Sequence, residues 1–148
     1  AMDTMRMESG FLHWGHDISP EENQYEAGLN FAVSYKKKNY FIGKESLLKI
    51  KEKNNNKRFV MLSLEDKEPG KPLLLHEEPI YLENKIIGRT TSGNYSFNFK
   101  KNLSFGYINS DYSNEQLMSM NLYIEVAKKK YLANVEGTPL KDKQARFS

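Results

Sequence analysis

Apolar and polar residues alternate in short runs over the last two thirds of the chain. Phe59-Val60-Met61-Leu62-Ser63-Leu64, Pro79-Ile80-Tyr81-Leu82, Lys85-Ile86-Ile87-Gly88-Arg89-Thr90-Thr91, Leu103-Ser104-Phe105-Gly106-Tyr107-Ile108, Leu122-Tyr123-Ile124-Glu125-Val126 and Tyr131-Leu132-Ala133-Asn134-Val135 read as six short strands. Turn residues such as Glu83-Asn84 and Asn109-Ser110-Asp111 separate them, and a short helix is predicted over residues 114–120. Strands this short and numerous predict a small antiparallel barrel, because closure leaves no exposed edge.

The start of the chain has another rhythm. Met2, Met5, Phe11 and Trp14 keep near-helical spacing, so residues 2–14 read as the end of a helix, punctuated by Gly10 and Gly15. An acidic, Pro-containing turn follows at residues 17–23. Residues 29–35 alternate like a strand, and the basic turn Lys36-Lys37-Lys38-Asn39 leads to Tyr40-Phe41-Ile42-Gly43. A surface helix is predicted over residues 44–53 with Leu47, Leu48 and Ile50 facing inward. The polar run Asn54-Asn55-Asn56 marks a linker. With one strand and an abrupt helical opening, residues 1–53 read as the C-terminal remnant of a domain whose body lies upstream, and residues 54–148 as the barrel domain. The fold class expected is α+β and mainly β.

Composition narrows the function. The 148 residues are 39% hydrophobic, which is enough for a core, and contain no cysteine, which excludes disulfide scaffolds and thiolate metal sites. No apolar run reaches the roughly 18 residues of a membrane helix. A net charge of +3, from 22 Lys+Arg against 19 Asp+Glu, is too weak to argue for nucleic acid by itself, and with no aromatics interleaved with the basic turns no nucleic-acid partner is expected.

Candidate chemistry is sparse. Arg6 and Glu8 are two apart on a helix and do not form an i,i+4 pair. Glu8 sits in a Met-rich stretch; it is either a helix-face residue open to solvent or a carboxylate accepting two side-by-side N–H donors, as an amino-pyrimidine edge offers. In His13-Trp14-Gly15-His16-Asp17 the imidazoles and carboxylate are suitable metal ligands, but Gly15 ends the helix between them and no metal site is assigned. Trp14 either stacks on a flat ligand or fills core. Lys36-Lys37-Lys38 is a solvated hairpin tip or a contact for a polyanion, and Lys128-Lys129-Lys130 is a solvated tip. Thr90-Thr91-Ser92-Gly93-Asn94-Tyr95-Ser96 reads as a hydroxyl-rich turn with neither a phosphate-loop pattern nor a nucleophile elbow. No catalytic residue is assigned.

In order along the chain, however, the segments resemble the folate-dependent aminomethyltransferase family that includes the T-protein of the glycine cleavage system. Arg6-Met7-Glu8 and Gly15-His16-Asp17 resemble its Arg-x-Glu helix and following Gly-x-Asp turn. Tyr25-Glu26-Ala27-Gly28-Leu29 is similar to its Pro-x-Glu-Ala-Gly-Leu segment, with Gln24 in place of the usual Pro. Phe41-Ile42-Gly43-Lys44 resembles a strand-to-helix junction of the family, and Thr91-Ser92-Gly93 its barrel signature. His13-Trp14-Gly15-His16-Asp17, Glu65-Asp66 and Glu78-Pro79-Ile80 look closest to the C-terminal parts of dimethylglycine and sarcosine dehydrogenases. Two departures stand out: Lys37 lies near a position where several T-proteins carry Arg, and the tail over residues 139–147 is shorter and plainer than the usual ending.

The resemblance implies a parent enzyme in which a flavin (FAD) domain oxidises an N-methyl amine and tetrahydrofolate captures the carbon as methylenetetrahydrofolate. The folate core and the flavin domain would both lie upstream, as partners of this piece. Glu8 would meet the pterin edge, Trp14 would line the pocket and Lys37 would be a charged neighbour, while the barrel closes the side. The piece is expected to be inactive alone and to bind tetrahydrofolate weakly or not at all. Met2, Met5, Phe11 and Trp14 would be left open to solvent or to a second copy, with room for a homodimer. The small-molecule substrate is set elsewhere, and the compartment would be cytoplasmic, or the mitochondrial matrix in a eukaryote. The competing readings are a stand-alone, non-catalytic barrel acting through protein contacts and a piece of a T-protein aminomethyltransferase.

Overall fold

A computed structural model describes residues 1–53, 56–65 and 68–136. The elements are α1 (Met2–Glu8), a 3-10 turn (Asn30–Ala32), α2 (Lys44–Glu52), β1 (Lys57–Leu64), β2 (Pro79–Leu82), β3 (Lys85–Ser96), β4 (Lys101–Asn109), α3 (Asn114–Met118), β5 (Leu122–Val126) and β6 (Lys129–Glu136). The strands close into a barrel in the order β1-β4-β3-β2-β5-β6, with every neighbouring pair antiparallel and β6 returning to β1. The fold is the expected small antiparallel barrel, and all six strands fall where alternation placed them.

Alternation also decides where the core lies. Val60, Leu62 and Leu64 of β1 point inward to join Ile80, Ile87, Ile108, Leu122, Ile124, Ala133 and Val135. Phe59 and Met61 point the other way, where Met7 of α1 covers them together with Leu103 and Phe105. β1 and β4 are thus buried on both faces along most of their length. The Phe59 ring meets Phe105 edge-on at 5.0 Å and Tyr107 at 5.7 Å, favourable aromatic geometry in this outer layer.

Two backbone details shape the barrel. The β5–β6 hairpin turns in two residues, Ala127 (φ 50°) and Lys128 (φ 66°), both left-handed, as a tight turn matched to strand twist requires. At Gly93 a Cβ would lie 2.3 Å from Leu74 Cβ and 2.8 Å from its carbonyl, so only glycine lets the connection after β1 lie against β3.

Several expectations are corrected. The helix predicted over residues 2–14 ends at Glu8, where Gly10 (φ 74°) turns the chain. Residues 29–35 form no strand. Ala32 and Val33 donate back to Leu29 and Asn30, and Phe31 is 87% exposed, because the closed barrel offers no free edge for another strand. In α2 no residue is buried; Leu47 and Ile50 are half-buried and Leu48 is exposed. Residues 90–96 are the second half of β3 and not a turn. Asn54 and Asn55 of the linker, Asp66, and the tail over residues 139–147 lie outside the described residues. Among the described residues no helix is long and apolar enough to cross a membrane.

Candidate functional site

The polar residues of α1 and the following loop converge on β3. Glu8 is 2% exposed: its Oε1 accepts from Ser96 Oγ at 2.6 Å and its Oε2 from Asn98 Nδ2 at 2.7 Å. The carboxylate is therefore not open to solvent. It uses two of its roughly four acceptor positions. Ser96 Oγ in turn accepts from the Phe99 amide, which fixes the tight turn between β3 and β4.

Two residues earlier on the helix, Arg6 enters a second network. Its Nη1 reaches Asp17 Oδ2 at 2.6 Å and the Phe11 carbonyl at 3.2 Å, its Nη2 donates to Ser92 Oγ, and its Nε pairs with Asp3. That contact, with the Arg6 charge, holds the Asp3 carboxyl below its ordinary value despite slight burial. The Asp17 side chain is fully buried. Besides Arg6 it accepts from the His13 amide at 2.9 Å and from the hydroxyls of Thr91 and Ser92, both at 2.6 Å. Its carbonyl accepts from Tyr107 Oη at 2.8 Å. Burial, with the carboxylates of Glu22, Asp17 and Glu26 around it, pushes the Tyr107 phenol well above its ordinary value, so it stays a donor.

How Thr91 and Ser92 both reach one carboxylate follows from the strand. Successive side chains normally point to opposite faces. The β3–β4 register shifts between Thr90 and Ser92, and this bulge aims two neighbouring hydroxyls to one side. With four donors, Asp17 has its acceptor capacity filled and offers a cation nothing further. The His13 and His16 rings lie tilted to one another with centroids 4.7 Å apart, and share a cavity of about 250 Å³ with His76, Asp3 and Arg6. Among the described residues, no group of three or more His, Asp or Glu side chains is arranged to hold a metal.

The other two residues assigned to folate lie elsewhere. Trp14 is 66% exposed, held by a backbone bridge to Ile18. Lys37 is exposed on the basic turn, at a groove of about 290 Å³ between the 3-10 turn and α2 that Val33, Phe41 and Leu47 also line. The structure thus places Glu8 in the α1–β3 seam, Trp14 on the loop beside it and Lys37 against α2. Sequence reasoning missed Asp17, Thr91, Ser92 and Ser96 as a set. The signal was present in two places, an Asp after a glycine turn and a hydroxyl-rich strand, but they are 74 residues apart.

The same seam joins the two family patterns that the chain matches. Residues 57–142 match the glycine cleavage T-protein C-terminal barrel domain, and residues 1–37 match the GCVT N-terminal domain. The chain is 33% identical over 142 residues to 4-methylaminobutanoate oxidase (formaldehyde-forming) of Paenarthrobacter nicotinovorans, covering 96% of this chain and 16% of that protein. It is 34% identical to human mitochondrial dimethylglycine dehydrogenase, covering 95% and 16%. It is 35% identical to an aminomethyltransferase of Listeria welshimeri, covering 94% and 36%. The chain therefore spans only about a sixth of the first two relatives and about a third of the last. Among solved structures, aminomethyltransferase T of the Bartonella henselae glycine cleavage system superposes with a TM-score of 0.77 at 23% identity, over 94% of this chain and 37% of that one, which bears on the fold. Barrel, seam and matched segments agree in order and extent: this chain belongs to the glycine cleavage T-protein family and corresponds to its C-terminal part.

Proposed function

We propose that the chain is the C-terminal wall of a tetrahydrofolate-dependent one-carbon-transfer enzyme of the dimethylglycine dehydrogenase type, and that it is inactive by itself. The observation that carries this reading is Glu8, a buried carboxylate held in fixed orientation by Ser96 and Asn98 with acceptor capacity to spare. A planar N–H edge is what such an acceptor suits. The Asn98 amide, on the exposed turn after β3, occupies Oε2 as a pterin N–H would, and exchanges with it when folate binds. Bound tetrahydrofolate supplies the nitrogen that captures the carbon. What this chain's residues contribute is orientation of that ring, which is where positioning acts on rate.

Trp14 offers an open ring for stacking, and Lys37 an ammonium for the carboxylate end of the ligand. Met2, Met5, Phe11, Phe31 and Ile42 are all more than half exposed, an apolar surface suited to an upstream folate core and flavin (FAD) domain, or to a second copy in their absence. The N-methyl amine substrate would be chosen by the flavin domain.

The test is calorimetric titration of the full-length parent with tetrahydrofolate. Glu8→Gln removes a charge-assisted acceptor worth roughly 1.5–3 kcal/mol, so affinity should fall about tenfold to a hundredfold. Glu8→Asp should lose nearly as much, because the shorter side chain retracts the carboxylate. Unchanged affinity in both variants would remove Glu8 from the site and favour a barrel that acts through protein contacts alone.

A further inference from the structure

At the opposite end of β3 from Ser96, the barrel opens into a groove of about 730 Å³, within the size range of small-molecule sites. Leu82, Ile87 and Met120 form its apolar part, Tyr112 and Tyr123 supply aromatic rings, and the carboxylates of Glu83 and Asp111 stand beside them against one ammonium, Lys85. We propose that this groove binds a small organic ammonium ion with an apolar or aromatic body.

Three observations carry the assignment. The first is preorganisation. The loop bearing Asp111 and Tyr112 is tied down by Arg58, which donates to Asn114 Oδ1 at 2.7 Å, to the Ser110 carbonyl at 3.1 Å and to the Tyr112 carbonyl. Asn56 Nδ2 donates to Asp111 Oδ1, so the carboxylate is oriented before any ligand arrives. A capping box between Ser113 and Gln116 then fixes α3, which leads to Met120. Rigid walls of this kind lower the entropic cost of binding.

The second is Glu83 itself. The two-residue β2–β3 turn puts it in the left-handed conformation (φ 56°), and that turn holds it at the rim of the groove. The third is the chemistry already visible next door. Tyr81, cross-strand partner of Tyr123, takes the Lys130 ammonium 4.0 Å from its ring centroid, and Tyr131 takes Lys129 at 5.1 Å. Two tyrosines next to the groove thus already receive ammonium groups on their faces. Among the lining residues two acidic side chains stand against one lysine, a balance that favours a cationic over an anionic ligand.

Titration of the intact chain with benzylamine, charged at pH 7, followed by amide NMR and calorimetry, tests the proposal. Saturable binding with shifts at Tyr112, Met120 and Tyr123 is expected, while sodium benzoate should leave those signals unmoved. Asp111→Asn keeps the acceptor for Asn56 and removes the charge. It should weaken binding about tenfold, the size of one charge-assisted contact, and Glu83→Gln should do likewise. Tyr112→Ala should weaken the aromatic amine more than n-butylamine. The proposal is overturned if benzylamine fails to bind, if benzoate binds as well, or if both charge-removing variants bind benzylamine as the parent chain does.

Discussion

The barrel and the segment ahead of it are held by opposite chemistries. The barrel rests on apolar burial: its strands enclose Leu62, Ile80, Ile124 and their neighbours, with exposures at or near zero. Before Lys44 the chain is fastened at a few polar points, with Met7 as its one large apolar side chain fully buried. Glu8 meets Ser96 and Asn98, Arg6 and Asp17 meet Thr91 and Ser92, and Lys57 reaches Glu22 at 2.9 Å. Apolar burial is forgiving of small shifts, whereas a buried carboxylate is costly the moment its donors leave. The barrel is therefore a platform, and the N-terminal segment a piece positioned on it by directional bonds. That division fits the proposed role of holding a ligand's edge in register.

The sharpest way to break the contrast is Asp17→Ala. It strips Arg6, Thr91, Ser92 and the His13 amide of a shared acceptor, and loss of one partner from a buried pair costs about 3–5 kcal/mol. Trp14, the single tryptophan, lies on the affected loop, so its fluorescence reports the segment while far-UV circular dichroism reports the barrel. In urea the fluorescence transition should move to much lower denaturant and the barrel transition should stay near its original place. Transitions that move together would show one cooperative unit.

Gly93→Ala attacks the platform instead. The new methyl overlaps Leu74 side chain and backbone, and overpacking of this kind costs about 1–3 kcal/mol. Here both probes should shift together, since the segment's seat on β3 goes with the barrel. The smallest effect has the opposite sign. Replacing Ala127 with Asn and Lys128 with Gly suits both left-handed positions of the β5–β6 hairpin, and should raise barrel stability by about 1 kcal/mol. The midpoint of the dichroism transition checks it.

The same contrast explains what the sequence made legible. Strands of the barrel were readable because their partners impose an inside and an outside, and alternation records that directly, as at Val60, Leu62 and Leu64. Residues 29–35 carry the same alternation without a partner edge, so the pattern misled. The seam was hard to read for another reason. Glu8 looks like an open helix-face residue until Ser96, 88 positions away, comes to meet it. Thr91 and Ser92 looked like a turn because glycine and hydroxyls usually mark one, and only the register shift against β4 shows that they serve Asp17. The family resemblance reached these residues through motifs, ahead of any physical account of why they belong together.

Closure of the barrel through β1 and β6 has a consequence for how the molecule is made. Met61 pairs with Glu136 and Leu64 with Ala133, so the ring cannot close until nearly the whole described chain has emerged from the ribosome. Until then β1 has only β4 beside it, and its other edge stays open. The seat for α1, by contrast, needs only β1, β3 and β4, all complete by Asn109. The N-terminal anchor can therefore dock on a half-built sheet and shield Phe59 and Met61 from misassociation while β5 and β6 are still being translated.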